Sequence, residues 1–425
     1  MAKKKEDFSN PRYVAYYVIY EVMYKGGFSN LLLQKSMNDL SDKDKSLCTN
    51  IVYGTIQNYD LLKYQLTQVE YGKLSNKQEV ILLMSLYQKH FLDKIPDYAI
   101  LNEAEKVTVL AIDYNAKKFV VSLLRQLLDK KLLYSESKDE DKNLSINYSH
   151  PLWFVKMIKK QYGQEVLLQI LKANQKQARL HLRYNTLTNQ EDRVLSNPFI
   201  EKSNIIEGGY FYNGSAINQL DLYQEGIVSV QDFSSQQVAL FAHVKPGMKV
   251  LDMCAAPGTK TMHLAQLMNN EGLIKAYDIY DHKKELIESN AKRLGVSIVD
   301  VDVCDATKLD DLEAKESFDC ILCDAVCTGL GVIKRKPEIK YQDIASSMDQ
   351  IIGVQKDLLK QAYSLLKKEG HLVYSTCSIN KKENQGVIND FLDKHSDMVL
   401  EEEKVILGYE VEGDGFYMAR LRKKG

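Results

Sequence analysis

Residues 249–265 read as a buried strand, a loop of small residues and the first turns of a helix, which is a nucleotide-binding layout. Ala255, Ala256 and Gly258 let backbone amides approach a ligand closely. The helix N-terminus behind them offers unpaired N–H groups and a positive dipole end suited to a carboxylate or phosphate. The loop has one glycine, not the three of the dinucleotide fingerprint, and no P-loop Lys-Ser/Thr at the right offset. Its meaning depends on the strands that follow. Asp278 lies 26 positions beyond Asp252 and ends the next strand, where a carboxylate would grip ribose hydroxyls. Asp305 ends the third strand, and Asp324 with Cys327 follows the fourth. One such Asp is as easily a helix cap or turn residue. Four strand ends in register, each delivering a polar or reactive group, point to one shared site.

These groups need a sheet to hold them. From about residue 230 short apolar or β-branched runs at 250–251, 273–277, 298–303, 318–322 and 371–375 alternate with helical stretches at 262–268, 283–294 and 351–366. That rhythm predicts a Rossmann-like, doubly wound, mainly parallel sheet with its ligand at the carboxyl ends of the strands. Before it the chain differs. Residues 10–133 are helical almost throughout: Val14, Ala15, Val18, Ile19, Val22 and Met23 form one apolar stripe, Leu47, Ile51, Val52 and Ile56 another. Ser75-Asn76-Lys77-Gln78 is a capping box that opens a helix over 80–92, and 119–128 is a further apolar helix. Residues 135–143 carry no apolar side chain and mixed charges, which predicts an exposed linker. A helical piece around 151–171 holding Trp153 and then alternation at Leu180, Leu182 and Tyr184 suggest a small α+β module. The expected organisation is therefore α plus α/β: a helical domain over 1–140, a connector over 145–235 and the sheet domain over 236–425.

With 425 residues the chain can build two or three cores, and 45% apolar with 27% charged residues is ordinary for a globular protein. A formal net charge of −1 excludes a protein basic all over, so a nucleic-acid partner must meet local patches. No stretch approaches the roughly 18 uncharged apolar residues of a membrane span. The basic start, Met1 to Asp7, has no apolar run behind it and is expected to be a frayed terminus. Seven cysteines and no secretory signal place the chain in a reducing cytoplasm, with thiols as reagents, ligands or core filler.

Three stretches carry a more specific signal. Asp252-Met253-Cys254-Ala255-Ala256-Pro257-Gly258-Thr259-Lys260, Asp324-Ala325-Val326-Cys327-Thr328-Gly329-Leu330-Gly331 and Ser375-Thr376-Cys377-Ser378 resemble the motifs of the RNA cytosine-5 methyltransferases that use S-adenosyl-L-methionine. Val230-Gln231-Asp232-Phe233-Ser234-Ser235, Ser149-His150-Pro151-Leu152-Trp153 and Asp414-Gly415-Phe416-Tyr417 extend the resemblance. Val52-Tyr53-Gly54-Thr55 and Phe119-Val120-Val121-Ser122-Leu123-Leu124-Arg125 are similar to the NusB family of RNA-binding domains, so the likeness runs nearly end to end.

The chemistry such enzymes face explains a need for two cysteines. Carbon 5 of cytosine is a poor nucleophile, so a thiolate must first add to carbon 6 and turn carbon 5 into an enamine-like centre. After methyl transfer the carbon-5 proton must leave before the thiol is eliminated, and a second group helps there. Spacing alone does not decide which cysteine attacks, since Cys327 and Cys377 both follow buried strands. The resemblance implies Cys377 as nucleophile, Cys327 assisting release and Asp324 hydrogen-bonding the base ring. It implies that Cys254, Ala255, Ala256, Pro257, Gly258, Thr259 and Lys260 hold the methionine end of the cofactor, Asp278 its ribose and Asp305 its adenine, with Asp324 bordering the methyl group. The implied substrate is small-subunit (16S) ribosomal RNA, handled by a monomer with no membrane partner. Lys334, Arg335 and Lys336 form a basic run near Cys327 and are candidates for RNA phosphate contact.

The chain departs from the family at Val326, where proline is usual, at Thr259, where a second glycine is usual, and at Val121, where asparagine is usual. A threonine at 259 argues against a positive φ and would serve as a helix N-cap. Cys320 and Cys323 read as core filler within a strand rather than a metal knuckle, Cys48 as core, and Tyr13, Tyr16, Tyr17 and Tyr20 as packing. No histidine pairs for metal or triad work. The competing readings are a cytosine-5 methyltransferase acting on another RNA, a methyltransferase of another class acting on DNA cytosine or a small molecule, and a non-catalytic RNA-binding or antitermination factor.

Overall fold

A computed structural model describes residues 7–214 and 216–425. The basic start therefore lies outside the described residues, apart from Asp7. The backbone forms two compact units: residues 1–175 with 336–342, and residues 176–335 with 343–425.

The first unit is helical. Asn10 caps helix Pro11–Lys25 by accepting from the Arg12 and Tyr13 N–H groups, and Gly26 at φ 70° ends it. The capping box at Ser75 and Gln78 forms as expected and opens helix Asn76–Phe91. Val14, Val18, Ile19, Ile51, Val52, Leu82, Leu83 and Leu124 meet in one core, where Cys48, Tyr13 and Tyr16 are also buried and Tyr17 and Tyr20 pack against it. The expected linker is not a plain loop: Asp139 caps helix Glu140–Asn147, and Asn143 and Asn147 bond back to Ser135. Capping and carboxamide bonds here replace the apolar stripe by which a helix is read from sequence. Helices Leu152–Tyr162 and Gln164–Asn174 belong to the first unit, and so does the distant segment 336–342.

The second unit has two sheets. Strands β1 (Leu180–Tyr184), β2 (Ile200–Lys202), β3 (Gly209–Tyr212) and β4 (Val228–Val230) form an antiparallel sheet in the order β2-β3-β1-β4. Strands β5 (Lys249–Asp252), β6 (Leu273–Asp278), β7 (Val299–Val303), β8 (Phe318–Asp324), β9 (Leu366–Thr376), β10 (Met398–Ile406) and β11 (Phe416–Lys423) form a seven-stranded sheet in the order β10-β11-β9-β8-β5-β6-β7. The five strands from β9 to β7 are parallel; β11 and β10 add an antiparallel edge.

Alternate residues of the central strands enter two different cores. Val250, Cys320, Leu322 and Val373 face one, Leu251, Ile321, Cys323 and Tyr374 the other. A strand buried on both faces reads as an unbroken apolar run, which is why these strands were legible. The chain leaves β5 toward β6 and β7, then returns to place β8 on the other side of β5. This is the switch point at which open α/β sheets bind ligands.

Candidate active site

Register puts the reactive groups side by side. In the parallel pairs Asp252 lies opposite Leu322, and Asp324 opposite Ser375. The loop after β5 is drawn across the sheet by Met253 N–H to the Leu322 carbonyl at 3.0 Å and Ala255 N–H to the Tyr277 carbonyl at 2.9 Å. It turns into helix Thr259–Leu267, whose first turn has no side-chain cap. The positive φ falls on Gly258 at 94° and not on Thr259, so the threonine is unstrained. Thr259 is the first helical residue and Gly258 the N-cap, which corrects the expectation that Thr259 caps. A Cβ on Gly258 would stand 3.3 Å from the Ile287 backbone, so this corner is pressed against the next helix as well.

Asp278 ends β6, buried, with one oxygen accepting the Ala256 N–H at 3.1 Å and the other facing the Lys283 ammonium at 3.0 Å. Asp305 follows β7 and caps a short turn by accepting from the Thr307 N–H and hydroxyl. Cys254 is packed against the core, where burial pushes its thiol pKa up.

Asp324 sits at the centre. It accepts from the Ser375 hydroxyl and from the Lys260 ammonium, both at 2.7 Å. Burial alone would lower the Lys260 pKa, but the Asp324 carboxylate outweighs it, with Cys377 adding in the same direction, so Lys260 is held charged. Cys327 and Cys377 come together with their sulfurs 3.2 Å apart, both half-buried. The bond to Cys377, then burial, keeps the Cys327 thiol pKa well above its ordinary value. Beneath them Asp252 is fully buried; it accepts from the Thr261 hydroxyl at 2.7 Å, and burial raises its carboxyl to about 7.

The loops carrying the two cysteines are stitched together. Gly331 N–H donates to the Cys377 carbonyl at 2.9 Å and Gly415 N–H to the Gly331 carbonyl at 2.7 Å. A Cβ on Gly331 would stand 2.0 Å from the Gly415 carbonyl oxygen. The Val326 carbonyl accepts from the Gln355 carboxamide at 2.9 Å, which fixes this turn without a proline.

Arg335 corrects the reading of the basic run. Its guanidinium bonds Asp414 at 3.0 Å and Asp232 at 2.7 Å, and His181 meets the same Asp232 at 3.0 Å. It is thus committed to two buried carboxylates rather than open to a phosphate, and it ties together the motifs around 232 and 414. Lys334 is half-buried, with its ammonium 3.5 Å from the Glu412 carbonyl, and Lys336 is exposed. Cys320 and Cys323 lie in the core of β8.

Sequence reasoning named Lys260 only toward the cofactor and missed Ser375 and Glu383. Ser375 and Lys260 sit inside the motifs, but their joint contact with Asp324 shows only once β8, β9 and helix Thr259–Leu267 are assembled. Glu383, buried beneath the cysteine loops, had no signal in spacing or periodicity.

A parallel-rich seven-stranded sheet, with a glycine-cornered loop after its first strand and acids at the ends of the next, defines an S-adenosyl-L-methionine-dependent methyltransferase. The donor set fits that cofactor: uncapped helix N–H groups for a carboxylate and the Asp278 carboxyl for ribose hydroxyls. The chain matches the family described as 16S rRNA methyltransferase RsmB/F over residues 239–422, the NusB family over 9–129, and the RsmF/B-like ferredoxin-like domain over 150–197. It is 35% identical to the "Probable ribosomal RNA small subunit methyltransferase B" of Bacillus subtilis, covering 94% of this chain and 95% of that protein. It is 31% identical to the ribosomal RNA small subunit methyltransferase B of Photorhabdus laumondii, covering 98% and 99% respectively. The protein belongs to the RsmB/F methyltransferase family.

Solved structures share the fold. The chain superposes on a protein titled PH0851 with a TM-score of 0.82, 24% identity and coverage of 99% of this chain and 100% of that one. A methyltransferase homologue from Pyrococcus horikoshii gives 0.60 at 26% identity, covering 68% of this chain and all of the other.

Proposed function

We propose that the protein methylates carbon 5 of a cytosine in 16S ribosomal RNA through a covalent bond between Cys377 and carbon 6. The observation that carries this reading is the pair of thiols 3.2 Å apart at the ends of β8 and β9, beside the Lys260–Asp324 ion pair.

The chain's own residues divide the work. Lys260 and Cys377 interact electrostatically, which places a cation beside the attacking sulfur. The thiolate adds to carbon 6, and Asp324, steadied by Lys260 and Ser375, hydrogen-bonds the ring on which charge develops. Cys254 to Lys260 would hold the methionine end of the cofactor, Asp278 the ribose and Asp305 the adenine; when bound, the cofactor supplies an electrophilic methyl group. Release follows. Cys327 gives its own proton to water and takes the proton from carbon 5. The electron pair restores the C5–C6 double bond, the C6–S bond breaks, and Cys377 leaves as thiolate. Cys327 ends the step a thiol, as it began.

The target base must leave its stack to present both carbons. Lys334 and Lys336 are candidates for backbone phosphate contact, and the NusB-like helices and the connector for RNA holding. The protein works as a monomer in the cytoplasm. The test is transfer of labelled methyl from S-adenosyl-L-methionine to 16S rRNA, with the product mapped by bisulfite sequencing. A single protected cytosine that disappears with the gene supports the proposal. Methyl incorporation at another base or atom contradicts it, and cofactor binding without transfer would favour a non-catalytic factor.

A further inference from the structure

Glu383 stands just before helix Gln385–Lys394, wholly buried, and the mechanism above does not use it. Its carboxylate gathers donors from both cysteine loops. One oxygen accepts the Thr328 N–H at 2.8 Å. The other accepts the Thr328 hydroxyl at 2.6 Å and the Ser378 hydroxyl at 2.7 Å, with the Asn380 carboxamide at 3.4 Å. Thr328 directly follows Cys327, and Ser378 directly follows Cys377. One side chain therefore bridges the residue after each thiol.

The bridge is itself held from behind. The Tyr374 hydroxyl donates to the Glu383 carbonyl at 2.7 Å, and Glu383 N–H donates to the Asn380 carbonyl at 3.0 Å. The neighbouring Asn384 accepts from the Thr376 hydroxyl at 2.6 Å and donates to the Ser378 carbonyl at 2.9 Å. All four donors to the Glu383 carboxylate are uncharged, and burying a carboxylate on such terms is a cost that an apolar residue would avoid. What the arrangement provides is geometry. The two cysteines come from loops 50 residues apart, and Glu383 bonds the residue after each of them, gathering the Thr328 and Ser378 hydroxyls, which also stand 3.2 Å from each other.

We propose that Glu383 is the positioning residue of the two-cysteine centre: by clamping Thr328 to Ser378 it sets Cys327 where it can take the carbon-5 proton from the adduct held by Cys377. This rests on the carbon-6 addition read above and goes beyond it by assigning the release step a second residue. Glu383 touches neither substrate nor cofactor. Its carboxylate also contributes to the raised pKa of Cys327, which favours that residue as a base once it has lost its proton.

The test compares Glu383→Gln, Thr328→Val and Cys327→Ala in the full-length protein, with labelled S-adenosyl-L-methionine and naked 16S rRNA. Gln keeps the shape but turns two amide hydrogens toward hydroxyls, so the clamp slackens. The expected result is a steady-state loss of about a hundredfold, the scale of a reacting group misplaced by about an ångström. A methylated RNA–protein adduct that survives denaturing electrophoresis should accumulate, as in Cys327→Ala. Glu383→Asp, too short to span both loops, should not restore turnover. Thr328→Val removes one hydroxyl donor and keeps the N–H bond, so it should trap adduct even if Glu383→Gln fails to fold. Loss of turnover with no adduct in either clamp variant, while Cys327→Ala accumulates it, overturns the positioning role alone. No adduct in any of the three, Cys327→Ala included, overturns the carbon-6 addition on which it rests.

Discussion

Lys260 is a residue whose importance lies in its partner. Its side chain is 13% exposed and its ammonium meets Asp324 at 2.7 Å, with Cys377 adding to the field that keeps it charged. Lys260→Met should leave Asp324 with one hydroxyl donor and Cys377 without its cation. A loss of about 1–3 kcal/mol in transition-state stabilisation is expected, read as a fall of about 5-fold to about 150-fold in kcat/KM for methyl transfer. An unchanged kcat/KM would remove Lys260 from the site. Asp252 makes a prediction in pH. Its carboxyl titrates near 7 in the folded chain, against 3.8 ordinarily, so the native state holds the proton more tightly than the unfolded chain. The contribution to stability is full below that ordinary value and is lost as pH rises through about 7. Asp252→Asn should therefore melt above the wild type at about pH 8, with the gap closing toward about pH 4. A constant gap would mean Asp252 is not the titrating group.

At the scale of elements, glycines separate close packing from open space. A Cβ on Gly331 would strike the Gly415 carbonyl at 2.0 Å, within the stitching of the two cysteine loops. Gly331→Ala should cost about 1–3 kcal/mol by overpacking and abolish methylation even at temperatures where the chain stays folded. Gly353, inside helix Ile344–Leu365, would meet nothing within 4 Å, so Gly353→Ala should stabilise by about 0.5–1 kcal/mol through helix propensity. Urea melts of the two variants check both signs. The parallel strands were legible because burial on both faces writes them as apolar runs. The edge was not. β10 carries Glu401, Glu402 and Glu403, the first two paired with Arg420 or Arg422 of β11, and a charged edge of this kind resembles a solvated loop. The motif cysteines could be found from sequence, but not their mutual distance. Glu383 and the Asp232–Arg335–Asp414 tie were hidden for the same reason: each joins residues far apart in sequence, and periodicity reports only local neighbours.

At the scale of the molecule, the division into units does not follow the chain. Segment 336–342 lies between the Cys327 loop and helix Ile344–Leu365 in sequence, yet belongs to the helical unit. There Lys340 is buried and donates to the Gln57 carbonyl at 2.7 Å, Glu338 accepts from the Ser29 hydroxyl at 2.9 Å, and Tyr341 packs on Tyr59. In native-state hydrogen exchange along a urea series, the Ile339 and Gln342 amides should lose protection together with helix Asn76–Phe91. Loss in step with β8 and β9 would contradict the assignment. A chain read only in order would have missed this return.

The central claim is that Cys377 attacks and Cys327 releases. With labelled S-adenosyl-L-methionine and naked 16S rRNA, Cys377→Ala should transfer no methyl group and form no adduct, whereas Cys327→Ala should accumulate a covalent RNA–protein species. An adduct in Cys377→Ala, with none in Cys327→Ala, would contradict the account.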